Sequence, residues 1–113
     1  DDGNYNAVIE SIKNRGYSNE IISSVEWDLI MKIIMKVHPS LISNLKANVH
    51  KITEVEIKVC ALMVLGFTTN EIGMALSKSP STITNIRCRL YTKAFNRKVS
   101  SKEADEWIRS LSR

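Results

Sequence analysis

The stretch TTNEIGMALSKSPSTITNIRCRLY, residues 68–91, decides the fold because it holds two amphipathic helix patterns separated by a tight break. The break is the tripeptide at residues 77–79, and Gly73 before it stands where a close neighbour would leave no room for a side chain. Ser79 can cap free backbone amides, and Pro80 suits the first position of a helix. The stretch therefore predicts a short helix, a three-residue turn and a longer helix from Pro80 to about Phe95.

Helical spacing also dominates the rest of the chain, because apolar residues recur at intervals of three and four without a sustained alternation of period two. The predicted fold class is all-α. Caps and stops divide the chain into seven helices. The expected helices are one over residues 5–14 that ends at Gly16, one from the cap Ser23 to His38-Pro39, one from Ser40, one from the cap Thr53 to Gly66, one capped by Thr69, the long helix from Pro80, and one capped by Ser100-Ser101.

Positive charge is concentrated in the second half of the chain. A length of 113 residues fits one domain, alone or with an appendage, and the net charge of +4 is mild. Residues 78–98, however, contain no acidic residue, a distribution that suits a polyanionic partner. A solvated charged face is the alternative. The basic residues of this segment are Lys78, Arg87, Arg89, Lys93, Arg97 and Lys98.

Signals of catalysis, metal binding and cofactor binding are missing from the sequence. Cys60 and Cys88 lack metal-ligand spacing, and His38 and His50 have no adjoining cluster of ligands. No paired carboxylates, glycine-rich phosphate loop or nucleophile with a histidine partner is visible. We therefore expect neither an enzyme nor a metal site nor a cofactor.

The sequence also lacks a membrane segment. The longest apolar run, residues 59–67, is far shorter than the roughly 20 residues that span a bilayer. We expect a cytoplasmic chain without membrane contact. Since it begins with Asp1 rather than methionine and shows no signal peptide, we also expect it to be a piece of a longer protein.

The long helix has two different sides. At about 100° per residue, its apolar seam runs through Ile83, Ile86, Leu90 and Ala94. Small and polar residues lie opposite, so the helix can approach base edges in the major groove. The predicted base-facing residues are Ser81, Thr84, Asn85 and Cys88.

Asn85 is the best single candidate for a base contact, because its amide can pair bidentately with adenine. Thr84 and Cys88 could instead be ordinary solvent-facing residues. Arg87 lies near the edge of the apolar seam, where it could contact phosphate or form a structural ion pair with Glu56. Arg89 and Lys93 are simpler candidates for phosphate contacts.

Several motifs resemble the LuxR-type (GerE-like) four-helix DNA-binding domain over about residues 51–111. The matching elements are Ile52-Thr53-x-x-Glu56, Gly66-Phe67-Thr68, Glu71-Ile72-Gly73, Leu76-x-x-Ser79 and the run from Thr82 to Leu90. The resemblance implies a bacterial transcriptional regulator whose third helix reads the major groove. This sequence differs from the family pattern at Thr84, where members often carry lysine, and at Lys78, where they often carry an apolar residue.

The resemblance also assigns contacts with the DNA backbone and with a second copy of the chain. Its fourth helix, here residues 102–111, commonly forms a two-fold dimer on a pseudo-palindromic site. The resemblance places Thr84, Asn85 and Cys88 toward the bases. It places four residues toward the DNA backbone: Ser81, Thr82, Arg89 and Lys93. Lys78 and Arg87 are added as backbone candidates because they belong to the basic segment. The implied homodimer interface is Ala104, Trp107, Ile108 and Leu111.

Two segments and three functional hypotheses follow. Residues 1–50 are expected to form a helical connector, which could help dimerisation, and residues 51–113 the DNA-binding domain. The first half loosely resembles larger sensory regulators, so sensory domains upstream in the same chain are possible partners beside double-stranded DNA. The alternatives are a module like region four of sigma factors, which an apolar last helix disfavours, and a protein-interaction module with the same fold.

Overall fold

The computed structural model describes residues 2–15 and 22–113, with side chains described for residues 5–14 and 22–113. All regular structure in this part of the chain is helical, which confirms the all-α prediction. The predicted stop at Gly16 lies outside the described residues. The helices are α1 (Asp2–Arg15), α2 (Ser24–Val37), α3 (Leu41–Asn48), α4 (Glu54–Val64), α5 (Thr69–Leu76), α6 (Pro80–Phe95) and α7 (Ser101–Ser110).

Side-chain caps start α2, α4, α6 and α7 where the sequence predicts them, whereas α3 begins after Ser40 without a side-chain cap and the cap of α5 differs from the prediction. Ser23 and Thr53 each form a reciprocal capping box with the glutamate three residues later. Helix α5 is capped by Thr68, and not by Thr69 as expected, because Glu71 completes the same reciprocal pattern with Thr68. Each box satisfies backbone amides that the first helical turn leaves free.

Helix α4 is the central helix of the fold. It packs against α2, α3, α5, α6 and α7. Val55, in its first turn, is exposed, but further along the helix Val59 and Leu62 on one side and Cys60 and Ala61 on the other are all fully buried. Burial on nearly all sides follows from this central position, since a helix enclosed by neighbours needs apolar residues all round.

The turn between α5 and α6 depends on a glycine inside α5. A Cβ atom at Gly73 would lie 2.5 Å from the backbone oxygen of Lys78, so the predicted close approach is confirmed. Ser77 ends α5 in the left-handed conformation, with φ of 58°. The amide of Lys78 then donates to the carbonyl of Gly73 at 2.8 Å. These contacts set the direction in which α6 leaves the turn.

The two halves of the chain share one core. Buried residues from α1 to α7, including Ile12, Ile33, Leu62 and Ile108, belong to a single cluster. The side chain of Asn44 in α3 also donates a hydrogen bond to the carbonyl of Leu111, at 2.9 Å. The expected boundary at residue 50 falls in the turn between α3 and α4. Among the described helices, none has the length and apolar character needed to cross a bilayer.

Candidate nucleic-acid interface

The N-terminus of α6 is exposed and free of acidic residues. Ser79 caps the helix by accepting a hydrogen bond from the amide of Thr82 at 3.2 Å, and Pro80 occupies the first turn, as the sequence predicts. The hydroxyls of Ser81 and Thr82 lie 3.2 Å and 2.8 Å from that of Ser79. A 16-residue helix carries partial positive charge at this end, so the exposed hydroxyls surround a position that favours an anion.

The predicted base-facing residues share the outer side of α6. Ser81 and Asn85 are exposed, and Thr84 and Cys88 are partly exposed. Ile83 and Leu90 point the opposite way into the core, and both are fully buried. The described contacts include no hydrogen bond from the Asn85 side chain to another described residue, so its amide is free to meet a ligand.

A shallow groove of about 340 Å³ runs between α6 and the connector to α7. Its lining comes from α6 and from the connector: Asn85, Cys88, Arg89, Thr92, Lys98 and Val99. The site prediction missed Lys98, which the fold brings beside the base-facing residues. Its position within the acid-free basic segment was the available sequence signal.

Arg87 faces inward, which corrects its assignment to the DNA backbone. Its residue is only 5% exposed. Its Nη2 atom donates to Thr69 Oγ1 at 3.1 Å, and its Nε atom lies 2.8 Å from Asp105 Oδ1. Because these last two atoms are poorly aligned for a hydrogen bond, their contact is chiefly electrostatic. The expected structural partner, Glu56, is also wrong: Arg87 ties α6 to α5 and α7.

Lys93 takes the partner that the sequence suggested for Arg87. Its Nζ atom donates to both carboxylate oxygens of Glu56, each at 2.9 Å, and this contact ties α6 to α4. Burial opposes ionisation of Glu56. The hydrogen bonds from Lys93 and Thr53, with the charge of Lys93, nevertheless lower the pKa of Glu56 below its ordinary value. Lys93 is therefore already paired within the chain.

Four of the six basic residues in segment 78–98 remain exposed without a carboxylate partner among the described residues: Lys78, Arg89, Arg97 and Lys98. Arg97 donates to the hydroxyl of Tyr91 at 2.9 Å, and this bond raises the pKa of the arginine. Arg89 and Lys98 line the groove beside Asn85 and Cys88, and Lys78 lies in the turn that precedes α6. The candidate interface is thus smaller and less basic than the sequence indicated.

The predicted dimer interface on α7 divides into a buried and a partly exposed set. Ala104 and Ile108 are fully buried in the core of this chain, so their side chains do not face a second copy, and their assignment is corrected. Trp107 and Leu111 are partly exposed. Phe95, which was not among the predicted interface residues, is 45% exposed, and the centroid of its ring lies 5.2 Å from that of Trp107.

No group of three or more histidine, cysteine or acidic residues suited to a metal ion occurs in the described part of the chain. The geometry defines an all-α protein in which helix α6, joined to α5 by a three-residue turn, presents a polar outer side without acidic residues. Comparison with family models, with curated proteins and with solved structures finds no match for this chain.

Proposed function

We propose that this chain is a sequence-specific DNA-binding module, the output domain of a transcriptional regulator, with α6 in the major groove. The observation that carries the proposal is the two-sided character of α6. Two of its three cations are paired with Asp105 and Glu56, while its outer side combines small polar groups with the unpaired Arg89. Two further unpaired cations, Lys78 and Lys98, lie in the turn before α6 and in the connector after it. A helix with such a side can approach base edges while the flanking cations meet phosphates.

The roles of individual residues follow from their positions. Asn85 is placed to read a base, with Ser81, Thr84 and Cys88 beside it on the outer side of α6. Thr82 and the free amides at the start of α6 suit one phosphate, and Lys78, Arg89 and Lys98 suit others. Arg87 and Lys93 act as positioning residues, since their ion pairs fix the orientation of α6 against α7 and α4, and the hydrogen bond from Arg87 to Thr69 fixes it against α5.

We further propose that the chain acts as a homodimer on a pseudo-palindromic site, in a bacterial cytoplasm, under control of sensory domains in the same protein. The resemblance to LuxR-type domains supports these statements. On α7, Trp107 and Leu111 remain the candidates for a two-fold contact, with Phe95 beside them. A protein-interaction module with the same fold is the second candidate function, and the small number of unpaired cations on α6 favours it.

Selection from a random pool of duplex DNA, at two salt concentrations, tests the proposal. We expect an enriched sequence and an affinity that falls with salt, with a slope of about −0.9 for each phosphate neutralised. If no sequence is enriched at either salt concentration, the result would contradict sequence-specific DNA binding and support the protein-interaction module.

Asn85→Ala tests the base-reading role. The substitution should reduce discrimination against mismatched sites by about 1–3 kcal/mol and leave binding to unrelated DNA nearly unchanged. Asn14→Ala, an exposed asparagine of α1, is the matched control. An equal loss of affinity for all DNA sequences would show that Asn85 contacts the DNA backbone rather than a base.

A further inference from the structure

The outward face of α2 is unusually apolar for an exposed helix. Six large apolar side chains are exposed in the described part of the chain, and four of them lie on α2. Val25 is 75% exposed, Met35 57% and Leu29 39%. These side chains leave large apolar groups in water on one helix, and exposed apolar surface of this kind commonly marks a contact with another molecule.

Charged residues are interleaved with these apolar residues in an ordered way. At 100° per residue, the apolar and charged side chains of this surface fall within an arc of about 120°. We call this surface the α2 face; its members are Val25, Asp28, Leu29, Lys32, Met35 and Lys36. The negative charge lies toward the N-terminal end of the face and the positive charges lie toward its C-terminal end. Among the described residues, none of these three charged groups forms an ion pair.

Such an order of charges makes the α2 face complementary to itself. We propose that the α2 face pairs with the α2 face of a second copy of this chain, antiparallel about a two-fold axis level with residue 30. This arrangement places Asp28 of each copy across from Lys32 of the other, and Val25 level with Met35. A parallel pair would instead oppose like charges, so the charge order selects the antiparallel one.

The neighbouring surface leaves space for such a partner. An open groove of about 710 Å³ is lined by Tyr5 of α1, by Met31 and by four members of the α2 face, namely Asp28, Lys32, Met35 and Lys36. A 14-residue helix is about 21 Å long, so the paired faces are short. The contact is therefore weak and concentration-dependent, as interfaces of small area are. It involves no residue of α6 or α7 and does not depend on DNA.

Charge reversal of exposed residues gives a test that leaves the core intact. The complete chain is measured without DNA by sedimentation equilibrium, and circular dichroism checks that each variant is folded. The wild type should dimerise with rising concentration. Asp28→Lys and Lys32→Asp should each weaken self-association roughly tenfold, since each turns two attractive contacts of the symmetric pair into repulsive ones.

Mixing the two variants is the decisive step. The mixed pair restores both oppositely charged contacts, so Asp28→Lys and Lys32→Asp should associate with each other at close to wild-type affinity. The double variant should also dimerise by itself. Lys78→Asp, the same charge change in the turn between α5 and α6, is the matched control and should dimerise like the wild type.

Three results would overturn the proposal. The first is a wild type that stays monomeric up to its solubility limit. The second is self-association that neither single reversal weakens, as a dimer formed through α7 would show. The third is a mixture of the two variants that associates no better than either variant alone. Because DNA is absent throughout, each outcome is independent of the proposed DNA-binding function.

Discussion

Arg87, Arg89 and Lys93 all lie on α6, within the basic segment 78–98. Their positions give Arg87 and Lys93 a different role from that of Arg89. Both end on carboxylates of other helices, at 2.8 Å and 2.9 Å. A cation that is already paired has little charge left to attract phosphate, whereas Arg89 projects into solvent. The structural effect of Arg87 and Lys93 is therefore to hold α6 in a fixed orientation.

Asp105→Ala tests the structural role of the buried ion pair. The substitution would leave the guanidinium of Arg87 buried without its carboxylate, and losing one partner of a buried pair costs about 3 kcal/mol or more. We expect a fall of that size in the free energy of unfolding, measured by urea denaturation. Glu106→Ala, at the exposed neighbouring position, should change the stability by less than about 0.5 kcal/mol. Equal effects of the two substitutions would contradict the role.

Glu56 predicts a dependence of stability on pH. Its pKa is lowered in the folded chain, so the unfolded chain binds a proton more readily. The stabilisation from Glu56 is then fully present above its ordinary pKa of 4.5 and is lost as the pH falls through the lower folded value. Unfolding by urea from pH 7 down through this range measures the effect. Glu56→Gln should flatten this part of the profile, and an unchanged profile would assign the acid sensitivity to other carboxylates.

Among the elements, the turn between α5 and α6 has the strictest steric requirement. Gly73 lies so close to the carbonyl of Lys78 that α5 and α6 can keep their spacing only without a side chain at that position. Gly66 is required for its backbone conformation instead, since its φ is 93° while an added Cβ atom would meet only the Nζ atom of Lys13, at an ordinary contact distance of 3.7 Å. The two glycines thus serve different physical purposes.

Gly73→Ala should disturb the turn between α5 and α6, because the added methyl group would collide with the backbone of Lys78. We expect a loss of about 1–3 kcal/mol in the free energy of unfolding, the usual cost of overpacking, and a matching loss of DNA affinity if α6 is the recognition helix. Gly66→Ala is the comparison: its cost should come from backbone strain, and its DNA affinity should stay close to wild type. Full stability of Gly73→Ala would show that the turn can relax.

At the scale of the whole molecule, the two cysteines differ in burial, so that Cys60 probes unfolding of the core and Cys88 probes the outer side of α6. Cys60 is fully buried in α4, and burial raises the pKa of its thiol to about 12. Cys88 is partly exposed on the outer side of α6. A thiol reacts as the thiolate, so Cys60 is protected by both its burial and its pKa.

Labelling with a small disulfide reagent at pH 8 should therefore proceed in two phases. Cys88 should react quickly, and Cys60 should react only as fast as the protein unfolds, with a rate that rises in urea. Cys88→Ser should remove the fast phase alone. Protection of Cys88 by a selected DNA duplex would support the proposed interface, whereas two thiols that react equally fast would contradict the described burial.

The sequence by itself determined the helical class and most helix ends, because capping boxes, Ser79-Pro80 and Gly66 act within one turn of chain. It also determined which residues of α6 face outward, since those follow from a period of 3.6 residues. It placed the cap of α5 one residue too late, because Thr68 and Thr69 both suit that role.

Only the tertiary structure decided which charges remain free and which apolar residues stay exposed. The partners of Arg87 and Lys93 come from α7 and α4, and Lys98 reaches the outer side of α6 through the path of a connector. The burial of Ala104 and Ile108, and the exposure of the α2 face, likewise depend on where neighbouring helices pack. Helical periodicity shows which residues share a side, but contacts between helices distant in sequence decide what each side meets.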